Sequence, residues 1–399
     1  MNDKKGNYCK DCGGSQVNHA FVYLSVLLDS IIEPFTDRLE RIIPESSFDF
    51  MGPFITKTLT YLKLGKITYE PKESDSMRTR VLWEEAKKRG IDMYEFHLFG
   101  IGRDIFVAKF KGEKIFFDVL PRPKNYDPLG LEWMDNKGGM KKHFEKSGIK
   151  VAKGGIASNK KKALKIFNSL EKPLITKPNF GSRSRHTTTH INTEEEFVAA
   201  FIKAKQLSPW VMTEEELSGY IFRGTLIGGK LVGVLRREPA YVTGDGIHNI
   251  KELVEIENKN PQRQGPIFHQ IKIDDDAIRE LKNWNHTMET IPKKDEVITL
   301  GSKTSRAVGG GITNMTDIVH PDNKEMLEKI AKVLDDPLIG VDFIMNDVSI
   351  SWKDQPKCGV IECNSTPFID LHHFPLIGKP YNVASDLWDI IFPSSNPHQ

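Results

Sequence analysis

Cysteine is scarce in this chain, with four among 399 residues. That excludes a disulfide framework and points to a reducing, cytoplasmic compartment. Long apolar runs are missing as well. None reaches the roughly 18 residues that a spanning helix needs, and no cleavable signal is visible, so no membrane span is expected. An excess of one charge sign is also missing. The net charge is +2 with acids and bases interspersed, which gives no electrostatic case for nucleic acid or an anionic membrane. No internal repeat or low-complexity tract interrupts the sequence. What is present is 39% hydrophobic and 28% charged residues, the balance of a globular chain long enough for two or three domains.

Cys9 and Cys12 have the spacing of half a zinc knuckle or of a redox pair. His19 supplies at most one further ligand, and Cys363 is committed to a strand by its neighbours. The set is therefore one ligand short, and the expectation is a disordered segment over 1–20 with two free thiols. Phe21, Leu24, Leu28 and Ile31 recur at helical spacing and predict a helix that stops near Pro34. A helix over 79–89, a strand over 91–99 and a hairpin across Lys111-Gly112 have the rhythm of a small α/β unit. With the first helix it makes an N-terminal domain over 21–130. Residues 44–75 carry no clear period.

Further along, a helix over 135–147, a strand over 173–177 and a capping box at Thr193-Glu-Glu-Glu196 are expected. Strand 211–214 follows, then a hairpin around Gly228-Gly229. Residues 261–300 look like an inserted helical segment that returns to the sheet at 297–300. Gly309-Gly310-Gly311 needs a permissive backbone. A helix over 322–334 precedes two acidic strands, and a helix over 385–391 closes the chain.

The two acidic strands carry the chemistry. In Cys358-Gly-Val-Ile-Glu-Cys-Asn364, side chains alternate faces, so Glu362 and Asn364 point one way and Cys363 the other. Gly340-Val-Asp342-Phe-Ile344 is a second apolar strand with one acid. If the two pair, Asp342, Glu362 and Asn364 converge as hard oxygen donors of the kind Mg²⁺ takes. Lys177 ends a strand and is followed by Gly181, Ser182, Arg183 and Arg185, a loop suited to phosphates or equally an ordinary polar turn. Lys137 opens its helix and reads by default as a solvated lysine. Arg236-Arg237 ends a strand and is either a phosphate clamp or solvated.

Taken in order, these pieces resemble the ATP-grasp superfamily. They are Lys137, Lys177 with its glycine loop, a strand ending in Glu214, the Gly-Gly hairpin, Arg-Arg-Glu-Pro-Ala at 236–240, Gly244-Asp-Gly-Ile-His248, Gly309-Gly-Gly, Gly340-Val-Asp342 and Ile361-Glu-Cys-Asn364. The likeness is to the ATP-grasp module of cyanophycin synthetase and of bifunctional glutamate–cysteine ligase/glutathione synthetase, over roughly 131–393. It implies an α+β or α/β fold in which two α+β lobes, 131–210 and 211–399, clasp ATP behind the small N-terminal domain. It implies ATP and Mg²⁺ (or Mn²⁺) as cofactors, with Lys137, Lys177, Gly181 and Ser182 at the phosphates. Glu214, Glu216 and Leu217 would meet the adenine. Asp342, Glu362 and Asn364 would hold the metal. Arg236 or Arg237 would stabilise the transferring phosphoryl group, with Arg223 as a further candidate.

The implied activity is a ligase that forms an amide on an amino acid or short peptide through an acyl phosphate, releasing ADP and phosphate. A homo-oligomer is compatible with the resemblance. The departures are Ile221 where the family places a ribose-binding acid, Ser and Arg where its phosphate loop has further glycines, and bulk at Ser365-Thr-Pro-Phe368-Ile-Asp-Leu-His372-His373. The last two residues are expected to form a structural pair. The match ends without the Mur-ligase-like domain of cyanophycin synthetase or the glutamate–cysteine ligase portion of the bifunctional enzyme, so an activity other than theirs is expected. Two alternatives stand beside the ligase: a catalytically inactive nucleotide-binding sensor, and a small-molecule kinase on the same fold.

Overall fold

The computed structural model describes Cys9, Cys12, 17–28, Thr58, 61–62, 64–71, 76–98, 104–124, Tyr126, 136–180, 185–265, 267–301, 303–304 and 306–396. The expected continuation of the first helix to Ile31, and Gly181, Ser182 and Arg183, lie outside these residues. Among the described residues no helix is long and apolar enough to cross a membrane.

The chain begins with α1, over 19–28. Then come β1 (Gly65–Thr68), α2 (Met77–Lys88), β2 (Asp92–Leu98), β3 (Asp104–Phe110) and β4 (Glu113–Phe117). The four strands pair in chain order and are antiparallel throughout. The expected α/β unit is thus corrected to an antiparallel sheet with one helix packed on it: α2 connects β1 to β2 without making them parallel, and the two-residue turn at Lys111-Gly112 can only join β3 and β4 antiparallel. Strand β1 carries no alternation and was not anticipated.

The first lobe holds α3 (Lys137–Lys146), β5 (Gly154–Ala157), α4 (Lys160–Ser169), β6 (Leu174–Pro178), β7 (Thr188–Ile191), α5 (Glu194–Ala204) and β8 (Val211–Glu215); the expected division at 210/211 gave β8 to the second lobe, but it pairs between β5 and β6. Its antiparallel sheet runs β5-β8-β6-β7. Thr193 and Glu196 form the expected reciprocal cap of α5, satisfying two of the helix's orphan N–H groups. Helices α4 and α5 bury Phe167, Phe197 and Phe201 with Leu174 and Ile191 of the sheet.

The second lobe holds β9 (Tyr220–Ile227), β10 (Lys230–Glu238), β11 (Tyr241–Thr243), α6 (Ile250–Asn258), α7 (Asp275–Asn283), β12 (Val297–Thr299), β13 (Gly311–Asn314), α8 (Pro321–Leu334), β14 (Leu338–Met345), β15 (Gly359–Asn364), α9 (Asp370–His373) and α10 (Val383–Ile391). Its main sheet runs β13-β10-β9-β14-β15. The β9–β10 hairpin turns on Gly228 and Gly229, both at positive φ (56° and 77°), a backbone that L side chains resist. The inserted segment returns to β11 rather than to the main sheet, making a separate two-stranded ribbon. A small core of its own accounts for this: Val242, Ile250, Leu281 and Ile298 are buried together.

One face of the main sheet is apolar. Phe222, Val341, Phe343 and Cys363 pack beneath Leu327 and Ile330 of α8 and beside Met140 and Phe144 of α3. Among the described residues the N-terminal meander has no separate core. Trp83 and Leu82 of α2 share theirs with Leu387 and Trp388 of α10. Trp388 is fully buried, stacks on Phe392 at 5.8 Å and donates its indole N–H to the Leu82 carbonyl at 3.0 Å. Beside it, Arg89 donates to Glu85 at 2.9 Å and to Asp389 at 2.7 Å. Residues more than 300 positions apart therefore fold as one unit. Trp388→Ala should lower the unfolding free energy by about 3–5 kcal/mol in urea denaturation. Tryptophan fluorescence and far-ultraviolet dichroism should shift together, because both ends of the chain lose the same core.

Candidate functional site

The first lobe buries a charge cluster. Glu214 on β8 is 6% exposed. Lys141 of α3 and Lys177 of β6 each place Nζ at 2.6 Å from its carboxylate. Burial works to raise the Glu214 carboxyl, but Lys177 and then Lys141 outweigh it and hold it down to about 2. Two ammonium groups thus face one carboxylate, and the cluster keeps an excess positive charge. Asn136 caps α3, accepting from Gly138 and Gly139, and also accepts from the Asn179 side chain at 3.2 Å. That bond ties the end of β6 to the start of α3, where Lys137 sits half-buried in the first turn. Glu216 accepts from the backbone N–H of His190 at 2.8 Å, and its own N–H donates to Pro173 at 3.0 Å. Leu217 follows, partly buried.

The second lobe holds the acidic strands, which pair as expected. Asp342 lies opposite Glu362, and Gly340 opposite Asn364. Residues directly opposite share a face, as do residues two apart, so Asp342, Glu362 and Asn364 point to the same side. Arg223, Asp342's partner on β9, grips it with a fork: Nε to Oδ1 at 2.7 Å and Nη2 to Oδ2 at 2.6 Å. Arg237 on β10 reaches the same carboxylate at 3.9 Å. Arg236 points the other way. It pairs with Glu238 at 2.5 Å and lies over the Tyr220 ring, on the face that buries Phe222. Of the two adjacent arginines, only Arg237 shares the side of Asp342. Glu362 is exposed and Asn364 partly so; among the described residues neither side chain has a hydrogen-bond or ion-pair partner. Two carboxylates and an amide oxygen with unused lone pairs are a donor set that fits Mg²⁺ or Mn²⁺.

Four further residues that sequence reasoning missed belong to these clusters. Lys141 lies one helical turn from Lys137, a signal visible in the spacing. Arg306, Asp370 and Arg78 carried no signal. Asp370 is 2% exposed and its Oδ1 has no hydrogen-bond partner. Burial raises its carboxyl above the ordinary range, against Arg306 and then Arg78. Arg306 reaches it at 3.4 Å, and Arg78 donates to the Thr366 carbonyl at 2.8 Å while covering the Phe368 ring. His372 and His373 are the structural pair expected. His372 is fully buried, accepts from or donates to Thr225 Oγ1 at 2.8 Å, and burial, then His373 and Arg223, push its imidazole down to about 3. His373 accepts from the Ala384 N–H at 3.2 Å.

No protein-family model matches the chain. Cyanophycin synthetase of Synechocystis sp. is 30% identical over 282 residues, which cover 67% of this chain and 31% of that protein. The glutathione biosynthesis bifunctional protein GshAB of Clostridium perfringens is 30% identical over 329 residues, 80% of this chain and 41% of that protein. A bifunctional glutathione synthetase from Pasteurella multocida superposes with a TM-score of 0.62 at 25% identity, over 79% of this chain and 43% of that one. The chain therefore spans less than half the length of the relatives it matches.

Glu214→Gln should leave two buried lysines without a counter-charge and lower the unfolding free energy by about 3–5 kcal/mol. The pH dependence has a definite sign. The folded carboxyl titrates near 2 against an ordinary 4.5, so its contribution is complete above about pH 4.5 and is lost as pH falls toward about 2. Urea midpoints measured across that window should fall more steeply for the parent than for Glu214→Gln.

Proposed function

This chain belongs to the ATP-grasp superfamily, and from that premise we propose that it is an ATP- and Mg²⁺-dependent ligase joining a carboxylate to an amine on an amino acid or short peptide. The observation that carries the reading is the shared face of Asp342, Glu362 and Asn364, flanked by Arg223 and Arg237. Phosphoryl transfer needs positioning and charge neutralisation more than covalent help from the protein, and that is what this face offers.

In the proposed reaction a substrate carboxylate oxygen attacks the γ-phosphorus of ATP. The bond from that phosphorus to the β–γ bridging oxygen breaks, and ADP leaves. The amine nitrogen then attacks the acyl carbon, loses a proton, and expels inorganic phosphate as the amide forms. Asp342, Glu362 and Asn364 would hold the divalent ion, which when bound offsets phosphate charge. Arg237 supports the transferring phosphoryl group, and Arg223 orients Asp342 through its fork. Lys177, Lys141 and Lys137 receive the phosphate chain from the first lobe. Glu214 holds the Lys177 and Lys141 side chains in place until the anion arrives. The backbone at Glu216 and Leu217 would border the adenine.

One observation favours a second reading. Both oxygens of Asp342 already accept from Arg223, as they would in a nucleotide-binding protein without turnover. The two readings separate cleanly. With ATP, Mg²⁺ and amino-acid mixtures, the ligase releases ADP and phosphate and yields a product of amide mass. ATP binding without turnover supports the sensor. AMP with pyrophosphate, or a phosphorylated product, contradicts the ligase. Arg237→Ala should cut kcat by about 10²–10³-fold, the usual loss for a group stabilising transition-state charge. Arg236→Ala, on the opposite face, should change it far less.

A further inference from the structure

Cys9 and Cys12 are free thiols, as expected, but the structure supplies the ligand that the sequence left missing. His186, which the sequence places 174 positions from Cys12, completes a set of four with His19. Cys12 Sγ lies 3.4 Å from Nε2 of His19 and 3.4 Å from Nε2 of His186. Cys9 Sγ lies 3.5 Å from the same His186 nitrogen. All four ligand atoms fall within 4.8 Å of one another. A tetrahedral zinc ion, about 2.3 Å from sulfur and 2.0–2.1 Å from nitrogen, would put each sulfur–nitrogen edge at about 3.6 Å. The three edges seen are within about 0.2 Å of that.

The cluster is built rather than incidental. Cys12 is 4% exposed and His186 is 1% exposed. His186 Nδ1 sits 2.7 Å from the Lys203 carbonyl at the end of α5. A carbonyl only accepts, so Nδ1 carries the proton and the neutral ring offers its Nε2 lone pair to the sulfurs. A backbone carbonyl fixing the tautomer of a metal-bound imidazole is the usual outer partner of such ligands. His186 also holds a left-handed backbone, φ 51°, a conformation that persists in a non-glycine residue where surrounding contacts determine it. The His19 and His186 rings stand edge to face, with centroids 4.7 Å apart, so both nitrogens turn inward without the rings clashing.

We propose that Cys9, Cys12, His19 and His186 bind one zinc ion. Two thiolates and two imidazoles are the donor types that select zinc over magnesium, calcium or manganese. With four protein ligands the site is closed, so its role is structural. It fastens the N-terminal segment to the turn between β6 and β7 of the first lobe. Binding displaces the two thiol protons, so affinity falls with decreasing pH and the ion contributes to folding. Nothing in this argument depends on the ligase reading, because the metal and not turnover is measured.

The test is metal analysis of the full chain, purified without chelator or polyhistidine tag. The expected result is about one zinc per chain, lost with a chelator at acidic pH and regained when zinc is returned. Reconstitution with cobalt should give the intense visible bands of tetrahedral cobalt with thiolate charge transfer. Cys9→Ser/Cys12→Ser and His186→Ala should each lose the zinc, whereas Cys358→Ser, a buried thiol elsewhere, should retain it. If the variants fail to fold, the stoichiometry and cobalt spectrum of the parent still decide. A parent that takes up neither zinc nor cobalt overturns the proposal. So does a parent isolated with a Cys9–Cys12 disulfide that cannot be metallated after reduction, or zinc retained by the double cysteine variant.

Discussion

A buried carboxylate must be matched by positive charge, and this chain over-matches it twice. Glu214 in the first lobe faces Lys141 and Lys177. Asp342 in the second faces Arg223 and Arg237. Desolvating a single carboxylate costs several kcal/mol unless partners compensate, so each acid dictates where its cations go. A surplus cation remains beside Glu214, whereas Glu362 shares the face of Asp342 and its two arginines. Side chains held by ion pairs of this kind are already ordered, which lowers the reorganisation that an anion would require of them. Arginine serves Asp342 because its planar fork fits a carboxylate while its neighbour stays available. Lysine serves Glu214 as a flexible point charge reaching from a helix and from a strand.

The rest of the fold explains why those charges stay accessible on one side only. The main sheet alternates apart from irregularities at Leu231–Gly233 and opposite Asp342–Phe343. Phe222, Val341 and Phe343 face α8 and close that side with apolar contact. On the other side Leu235 and Ile312 are covered by Leu371 and Phe268, and Gly233 leaves room for the ring of His372. A side chain at Gly233 would come within 2.5 Å of that ring, so the glycine and the buried histidine are one packing decision. Cover ends before Glu362, which is exposed. Glu362 and Asn364, two of the donors proposed for a divalent ion, therefore sit where the helical layer stops.

This alternation is also why the central part of the site could be read from the sequence. A period of two places Glu362 with Asn364 whatever surrounds them, and an acid on a neighbouring apolar strand has only two faces to choose from. A helix start and a hairpin turn were legible for a similar reason: Thr193 with Glu196, and Gly228 with Gly229, act within a few residues. What escaped was non-local. Short strands such as β5 and β7 have no room for a pattern. Arg306 and Asp370 meet across 64 positions, and His186 meets Cys12 across 174. The shared core of α2 and α10 made the expected boundary near residue 130 invisible to packing, since Trp388 is as much part of the N-terminal meander as of the second lobe.

Three sets of non-local contacts fall between Lys177 of β6 and His186 ahead of β7. Lys177 is held by Glu214. Asn179, one residue past the strand, bonds to Asn136 at the start of α3 and donates its N–H to the Trp210 carbonyl at 3.0 Å. His186, at the other side of 181–184, is held by the Lys203 carbonyl and by the two cysteine sulfurs. The residues that flank this glycine- and arginine-containing stretch are thus fixed at both ends, to α3 on one side and to α5 and the N-terminal segment on the other. The N-terminal cysteines, remote in sequence from every other feature of the first lobe, thus join its packing through His186.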